Sequence, residues 1–192
     1  MARLELCKFG MDGPYLDGIA SVYAQALNLD WKAEYAGFRH YVQTFPEFQG
    51  RVAVVGGEVV GIGWGTRTQP GEWLYDRVAV QIGSDHQVLQ DAWLLNTLAV
   101  LEEYRRQGIA SHLHDALLEA QPCTRALVCT SIDNESARRL YELKGWQYFQ
   151  PNCTINAGTR RMVVLRKELS GAAKEPIVSV PIQPQRPSAQ YP

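Results

Sequence analysis

Residues 91–121 read DAWLLNTLAVLEEYRRQGIASHLHDALLEAQ. From Trp93 to Val100 nearly every residue is apolar, too short a run for the core of a helix but rich enough for a buried strand. Polarity then switches abruptly over Glu102-Glu103-Tyr104-Arg105-Arg106-Gln107-Gly108. Beyond Gly108 the apolar residues Ile109, Leu113, Ala116, Leu117 and Ala120 follow helical spacing with one buried face. The stretch is thus a strand, a tight basic loop and an amphipathic helix. Such a loop gathers unpaired backbone N–H groups at a helix N-terminus beside two arginines. Donors and the positive end of the helix dipole point the same way, which suits the arrangement to gripping a pyrophosphate.

The rest of the chain sets bounds on what that stretch can serve. A length of 192 residues with 46% hydrophobic content supports one domain with a substantial core. A net charge of −1 creates no global field to recruit nucleic acid or an anionic membrane surface. No apolar run approaches the length of a membrane span, and the N-terminus lacks a signal-peptide pattern. Cys7, Cys123, Cys129 and Cys153 are scattered without a C-x-x-C pair. His112 and His114, two apart on a helix, point in different directions and cannot chelate together. The reading is a reduced, cytoplasmic protein without a metal.

Around the central stretch, residues 3–9 alternate as a half-buried strand. Pro14 suits a helix start, and a helix is expected over 15–28 and another over 31–44, ahead of Pro46. Residues 51–55 and 58–66 flank Gly56-Gly57, a pair that supplies the positive φ angles of a two-residue hairpin. Gly61, Gly63 and Gly65 leave one face of the second strand bare, for a closely packed helix or for the wall of a substrate site. Residues 73–82 read as a further strand because Val78-Ala79-Val80 favours it, with a polar loop at 83–86. Strands at 125–130 and 146–149, a helix at 134–144 and a closing strand at 161–166 complete the order. Prolines at 176, 181, 184, 187 and 192 make 169–192 an extended or disordered tail, with Ile177-Val178-Ser179-Val180 the one segment able to add a strand or cover a groove.

Arg105-Arg106-Gln107-Gly108-Ile109-Ala110 resembles the Q/R-x-x-G-x-G/A signature of the GNAT superfamily, the acetyl-CoA-dependent N-acetyltransferases. A second block, Asn134 to Trp146, is similar to that family's N-x-x-A-x-x-L-Y-x-x-x-G-F/W pattern. The two blocks in this order make the resemblance specific, and it covers roughly residues 3–167. It implies an α/β fold with a mixed, mostly antiparallel, centrally splayed sheet flanked by helices, a catalytic domain over 1–168, and acetyl-CoA as co-substrate with a primary amine as acceptor. A homodimer is compatible with the sequence.

Carried over residue by residue, the resemblance implies that Arg105, Arg106, Gln107, Gly108, Ile109, Ala110 and Ser111 hold the pyrophosphate. Gly108 is expected to leave room for the phosphate. Leu98, Ala99 and Val100 would lie along the pantetheine arm of a splayed or bulged strand, with the Leu98 N–H as oxyanion donor. Tyr141 would be the acid for the departing thiolate. It lies two helical turns after Asn134, on the same face and roughly 10 Å away. Asn134 and Ala137 would also contact the cofactor, and Asn134 equally caps the helix.

The family's usual glutamate position holds Leu94, so the base is open. Asn96, on the same face as Leu94 and Leu98 by strand alternation, can orient a water or the acceptor. Glu72, Asp76 and Asp91 serve either through water or as solvated loop carboxylates, and deprotonation by solvent is a further route. An acetyl-Cys129 intermediate is disfavoured beside direct attack in a ternary complex, because a buried thiol is usually inert. Acceptor recognition falls to residues 15–44, the Trp73/Tyr75 segment and the 150–160 loop. Trp64, Trp73 and Tyr75 are candidate pocket walls and equally candidate core. The rival from another class is a non-catalytic acyl-CoA-binding module; a dinucleotide fold is disfavoured because G-x-G-x-x-G is absent.

Overall fold

The computed structural model of the protein describes residues 3–11, 13–45, 47–83, 86–119, 121–155 and 160–169. Expectations placed on Asp12, Pro46, Ser84, Asp85, Ala120, residues 156–159 and the tail from 170 onward lie outside them, as do those on side chains at 150–155 and 160.

Chain order runs β1 (Leu4–Phe9), α1 (Leu16–Ala26), α2 (Trp31–Thr44), β2 (Gln49–Val55), β3 (Glu58–Arg67), α3 (Trp73–Ile82), β4 (Ala92–Val100), α4 (Ile109–Leu118), β5 (Arg125–Ser131), α5 (Glu135–Leu143), β6 (Gln147–Ile155) and β7 (Arg160–Glu168). The seven strands form one sheet in the order β1-β2-β3-β4-β5-β7-β6. Every pairing is antiparallel except β4 with β5. Helices cover both faces. Leu94 and Leu127 pack with α3, while Trp93, Leu95 and Val128, on the alternate side, pack with Leu117 of α4 and Tyr141 of α5. Among the described residues no helix is long and apolar enough to cross a membrane.

Residues 73–82 form a helix, not the expected strand. The β-branched Val78 and Val80 favour extended chain, but Leu74, Tyr75 and Val78 are buried at helical spacing. The Glu72 side chain accepts from the Tyr75 N–H at 2.7 Å, and Gly83 at φ 92° ends the helix. Burial of one face and the two caps outweigh a weak strand preference.

The expected closing strand also takes a different place. β7 inserts between β5 and β6, pairing with β5 from Arg125↔Glu168 to Ser131↔Met162, and β6 takes the edge. β6 runs further than the expected 146–149, with register shifts between Tyr148 and Gln150 and between Gln150 and Cys153. Pro151 lies in the second of these; an edge strand tolerates a residue with no N–H to donate.

The bare face of β3 is filled by packing. A Cβ on Gly63 would lie 2.7 Å from Leu117 Cδ1 of α4, and one on Gly65 would lie 2.1 Å from the Leu94 carbonyl oxygen. α4 therefore seats against β3, and the face is no substrate wall. We expect Gly65→Ala to lower unfolding free energy by about 3 kcal/mol, because backbone cannot yield at that distance. Gly37→Ala, in exposed α2 where a Cβ meets nothing within 4 Å, should raise it by about 0.5–1 kcal/mol. Urea midpoints with unchanged m-values measure both.

Candidate active site

The geometry of the site begins in β4. Its ladder with β3 runs from Arg67↔Trp93 to Gly61↔Val100, but Trp64 pairs Thr97 while Gly65 pairs Leu95, so Asn96 is an extra, bulged residue. Pairing with β5 extends only from Ala92↔Arg125 to Leu95↔Val128. Beyond Leu95 the two strands part, and a cleft of about 830 Å³ lies beside the freed end of β4, lined by Leu98 to Val100, the loop and first turn of α4, and residues of α5.

Backbone directions in the parted segment follow from its neighbours. Leu101 N–H donates to Val60 O of β3 at 2.9 Å. Val100 C=O, turned the other way, accepts from Arg105 Nε at 3.0 Å. Strand alternation then turns the Leu98 N–H toward the gap, where β5 offers no partner.

α4 brings its N-terminus to the same cleft. Arg106 at φ 60° and Gly108 at φ 81° turn the loop left-handed. A Cβ on Gly108 would meet nothing nearer than His112 at 3.9 Å, so glycine is required there by backbone conformation. No side chain caps α4. The His112 N–H pairs back to Gly108 O at 3.0 Å; the N–H groups of Ile109, Ala110 and Ser111, in the first turn, have no intrahelical acceptor. Those three residues line the cleft. Dipole and donors together form an anion-binding end.

Of the residues expected from the sequence, Leu98, Ala99, Val100, Arg105, Arg106, Gly108, Ile109, Ala110, Ser111, Asn134, Ala137 and Tyr141 all line this one cleft. Gln107 does not; its Nε2 donates to Glu103 O at 3.2 Å. Asn134 Oδ1 caps α5, accepting from Ala137 N at 3.2 Å. Sequence reasoning missed Ala26 and Leu27 at the end of α1, Glu102 and Tyr104 before α4, and Ser136, Arg139, Leu140 and Leu143 of α5. Ser136, Leu140 and Leu143 follow one another at i, i+4 and i+7 on a different face of α5 from Asn134, Ala137 and Tyr141, so the spacing of the marked residues did not point to them. Ala26 and Leu27 carry no spacing signal either.

Tyr141 is buried, and burial holds its hydroxyl well above the ordinary tyrosine range, so it stays protonated at neutral pH. Its ring lies 5.4 Å from that of Trp146. Trp146 Nε1 donates to His114 Nε2 at 2.8 Å, and His114 Nδ1 meets Asp115 at 2.8 Å. Because Nε2 accepts, His114 is neutral, with its proton on Nδ1. Gly145 at φ 77° turns the chain so that Trp146 can reach this position.

Other candidates lie elsewhere. Trp64 is buried, with Nε1 donating to Tyr23 OH at 2.8 Å; Tyr75 is core under α3, and Trp73 is exposed with the Arg77 guanidinium over its ring. Cys129 packs on the α3 side of β5, away from Tyr141. Asp91 pairs with Arg67 at 2.5 Å, and Asp76 accepts from Gly71 N. Glu72 is not the solvated loop carboxylate that its sequence position suggests: it is 0% exposed. Nor does Asn96 share a face with Leu98. The bulge sends Asn96 toward Glu72 and Thr97 toward Tyr23, both on the α1–α3 side, whereas Leu98 lies against Gly63 on the α4 side.

The sequence profile of the acetyltransferase (GNAT) family matches residues 21–146. No curated protein sequence matches the chain. Among solved structures, the ribosomal-protein-S18-alanine N-acetyltransferase from Escherichia coli aligns with a TM-score of 0.62 at 14% identity, over 90% of this chain and 99% of that one. Ard1 from Thermoplasma volcanium aligns at 0.59 and 20% identity, over 86% and 97%. Arabidopsis thaliana Naa50, solved with the bisubstrate analogue CoA-Ac-MVNAL, aligns at 0.57 and 17%, over 85% and 99%. At such identities the likeness is one of fold.

Burial holds the His114 pKa below 6.5. A proton therefore binds the unfolded chain more readily, so stability should be full above the unfolded value and fall as pH drops through about 6.5. Chemical denaturation between pH 5 and 8 should show this slope in the wild type. His114→Gln, which keeps an acceptor for Trp146, should flatten it.

Proposed function

The chain belongs to the acetyltransferase (GNAT) family, and on that premise we propose that it moves an acetyl group from acetyl-CoA to a primary amine by direct attack. The observation that carries this reading is that the uncapped N-terminus of α4, Leu98 and Tyr141 line one cleft. Acetyl-CoA supplies an activated thioester. The chain's own groups divide the work. The first-turn N–H groups of α4, with Arg105 and Arg106 beside them, hold the pyrophosphate. The Leu98 N–H receives the charge that develops on the acyl oxygen. Tyr141, kept protonated by burial, returns a proton to the thiolate as the C–S bond breaks. Direct transfer is favoured over an acetyl-cysteine because Cys129 sits on the opposite side of the sheet from Tyr141.

The rival reading, an acyl-CoA-binding module without turnover, draws on Leu94 at the usual base position; Leu94 is buried and packs with the α3 cluster. A cytoplasmic location, and partners that include neither nucleic acid nor membrane, belong to the same proposal and rest on the charge balance and the scattered cysteines. So does the division into a catalytic domain over 1–168 and a separate tail.

Calorimetric titration with acetyl-CoA tests the clamp. We expect micromolar binding in the wild type and none in Arg106→Glu/Gly108→Glu. In a thiol-release assay over a set of amines, Tyr141→Phe should lose on the order of 10²–10⁴-fold in kcat while retaining acetyl-CoA affinity. A folded wild type that binds no acetyl-CoA would sink the reading; one that binds it and turns over no amine would favour the binding module.

A further inference from the structure

The wall of the cleft that carries Tyr141 is held by a buried polar chain that the transfer step itself does not use. Tyr141 is 5% exposed, and among the described residues its hydroxyl has no hydrogen-bond partner. The direction of that O–H therefore depends on how the ring is packed. The Trp146 ring lies against it, with centroids 5.4 Å apart. Trp146 is fixed at both ends: its backbone N–H donates to Tyr141 O at 2.9 Å, and its indole Nε1 donates to His114 Nε2 at 2.8 Å. His114, on α4, is 2% exposed. Its Nδ1 meets Asp115 Oδ1 at 2.8 Å, Asp115 Oδ2 accepts from Lys144 Nζ at 2.6 Å, and Lys167 Nζ donates to Lys144 O. One chain of bonds thus joins α4 to the end of α5, where Tyr141 sits.

An indole N–H only donates, so the joint between Trp146 and His114 exists only while Nε2 is unprotonated. A proton there sets two donors against each other in a buried site, and the bond is lost. The groups that face His114 decide when this happens. Asp115 of α4 favours the cation. Lys144 beyond α5 and Lys167 of β7 oppose it, and so does burial, which is the largest influence and holds the pKa below 6.5. The Trp146 indole does not titrate, and Tyr141 stays protonated. The joint is therefore intact at neutral pH and fails as pH falls through the mildly acid range.

We propose that His114 is a positioning residue for the acid step: as the neutral acceptor of the Trp146 indole it holds that ring against Tyr141, and a proton taken up from solvent on Nε2 releases the ring and misdirects the Tyr141 hydroxyl. The inference rests on the acyl-transfer reading and adds how its proton donor is held in place and what switches the hold off.

The test follows acetyl-CoA-dependent thiol release between pH 5.5 and 8 with tyramine, putrescine and alaninamide as amine probes. Wild type, His114→Gln, Tyr141→Phe and the double variant are compared, the last two at raised enzyme concentration. His114→Gln keeps an acceptor for the indole but does not titrate, and the ratio of wild-type to His114→Gln kcat cancels the titration of the amine itself. That ratio should be flat above pH 7.5 and drop about tenfold by pH 5.5, within the loss that displacing a reacting group by about 1 Å can cause. The KM for acetyl-CoA should not follow it. With Tyr141→Phe in both proteins the drop should vanish, because no hydroxyl is left to aim. In the wild type without acetyl-CoA, the Trp146 indole N–H resonance, assigned by its loss in Trp146→Phe, should shift over the same pH range, and it should stay still in His114→Gln. A merely structural role would instead make the ratio track the folded fraction seen by circular dichroism, move the KM for acetyl-CoA with kcat, and persist in the Tyr141→Phe pair. Any of these overturns the inference, as does a ratio that stays within about twofold throughout or an indole signal that does not titrate. A wild type that binds acetyl-CoA but acetylates no probe at any pH removes the acyl-transfer reading itself, a distinguishable failure that takes this inference with it.

Discussion

One extra residue in β4 governs the geometry of this protein. Asn96 has no partner on β3, and after Leu95 the strand has no partner on β5. A regular β4 would keep both ladders closed and satisfy every backbone group within the sheet. The bulge instead releases a short run of backbone into the cleft. Because side chains alternate, it also reverses the faces of all residues beyond it. Leu98 goes to the α4 side, while Asn96 and Thr97 both face α1–α3. The two sides of the reacting segment thereby differ, with the Leu98 N–H turned toward the cleft and the Asn96 side chain on the side of Glu72.

That opening is useful only if the helix that follows β4 is held rigidly at its rim. The glycine face of β3 does this. Gly61 and Gly63 let Leu113 and Leu117 come into contact with the strand backbone, so α4 lies close and its uncapped first turn stays at the end of β4. Arg105 ties the intervening loop to Val100 O. On the far wall, Trp146 braces Tyr141 from behind and is itself pinned by His114, Asp115 and Lys144. Buried hydrogen-bonded chains of this kind hold a side chain more firmly than apolar contact does, because each member has one acceptable partner.

The electrostatics of the two sides are opposed. Unpaired N–H groups and two arginines make the α4 end attractive to anions, whereas Glu72 buries a negative charge behind Asn96. Net charge says nothing about this arrangement: the chain as a whole carries −1.

Local pattern was enough to determine the strand–loop–helix around Gly108, the Gly-Gly hairpin, helix α2 and the helix that carries Tyr141. In each, the spacing of apolar residues and the turn chemistry agree, and contacts lie close along the chain. Twelve cleft residues were legible for the same reason, since they fall in two short stretches, 98–111 and 134–141. Tertiary structure alone decided the rest. α3 is a helix because its one buried face meets Leu94, Leu127 and Val164, contacts that no window around Val78 contains. β7 lies inside β6 because pairing with β5 is a long-range choice. The bulge is invisible in an unbroken apolar run, and with it went the true face of Asn96 and the burial of Glu72, whose partners Tyr41 and Asn96 lie far from it in sequence. Periodicity reports which residues avoid water; only the assembled sheet decides which polar groups meet.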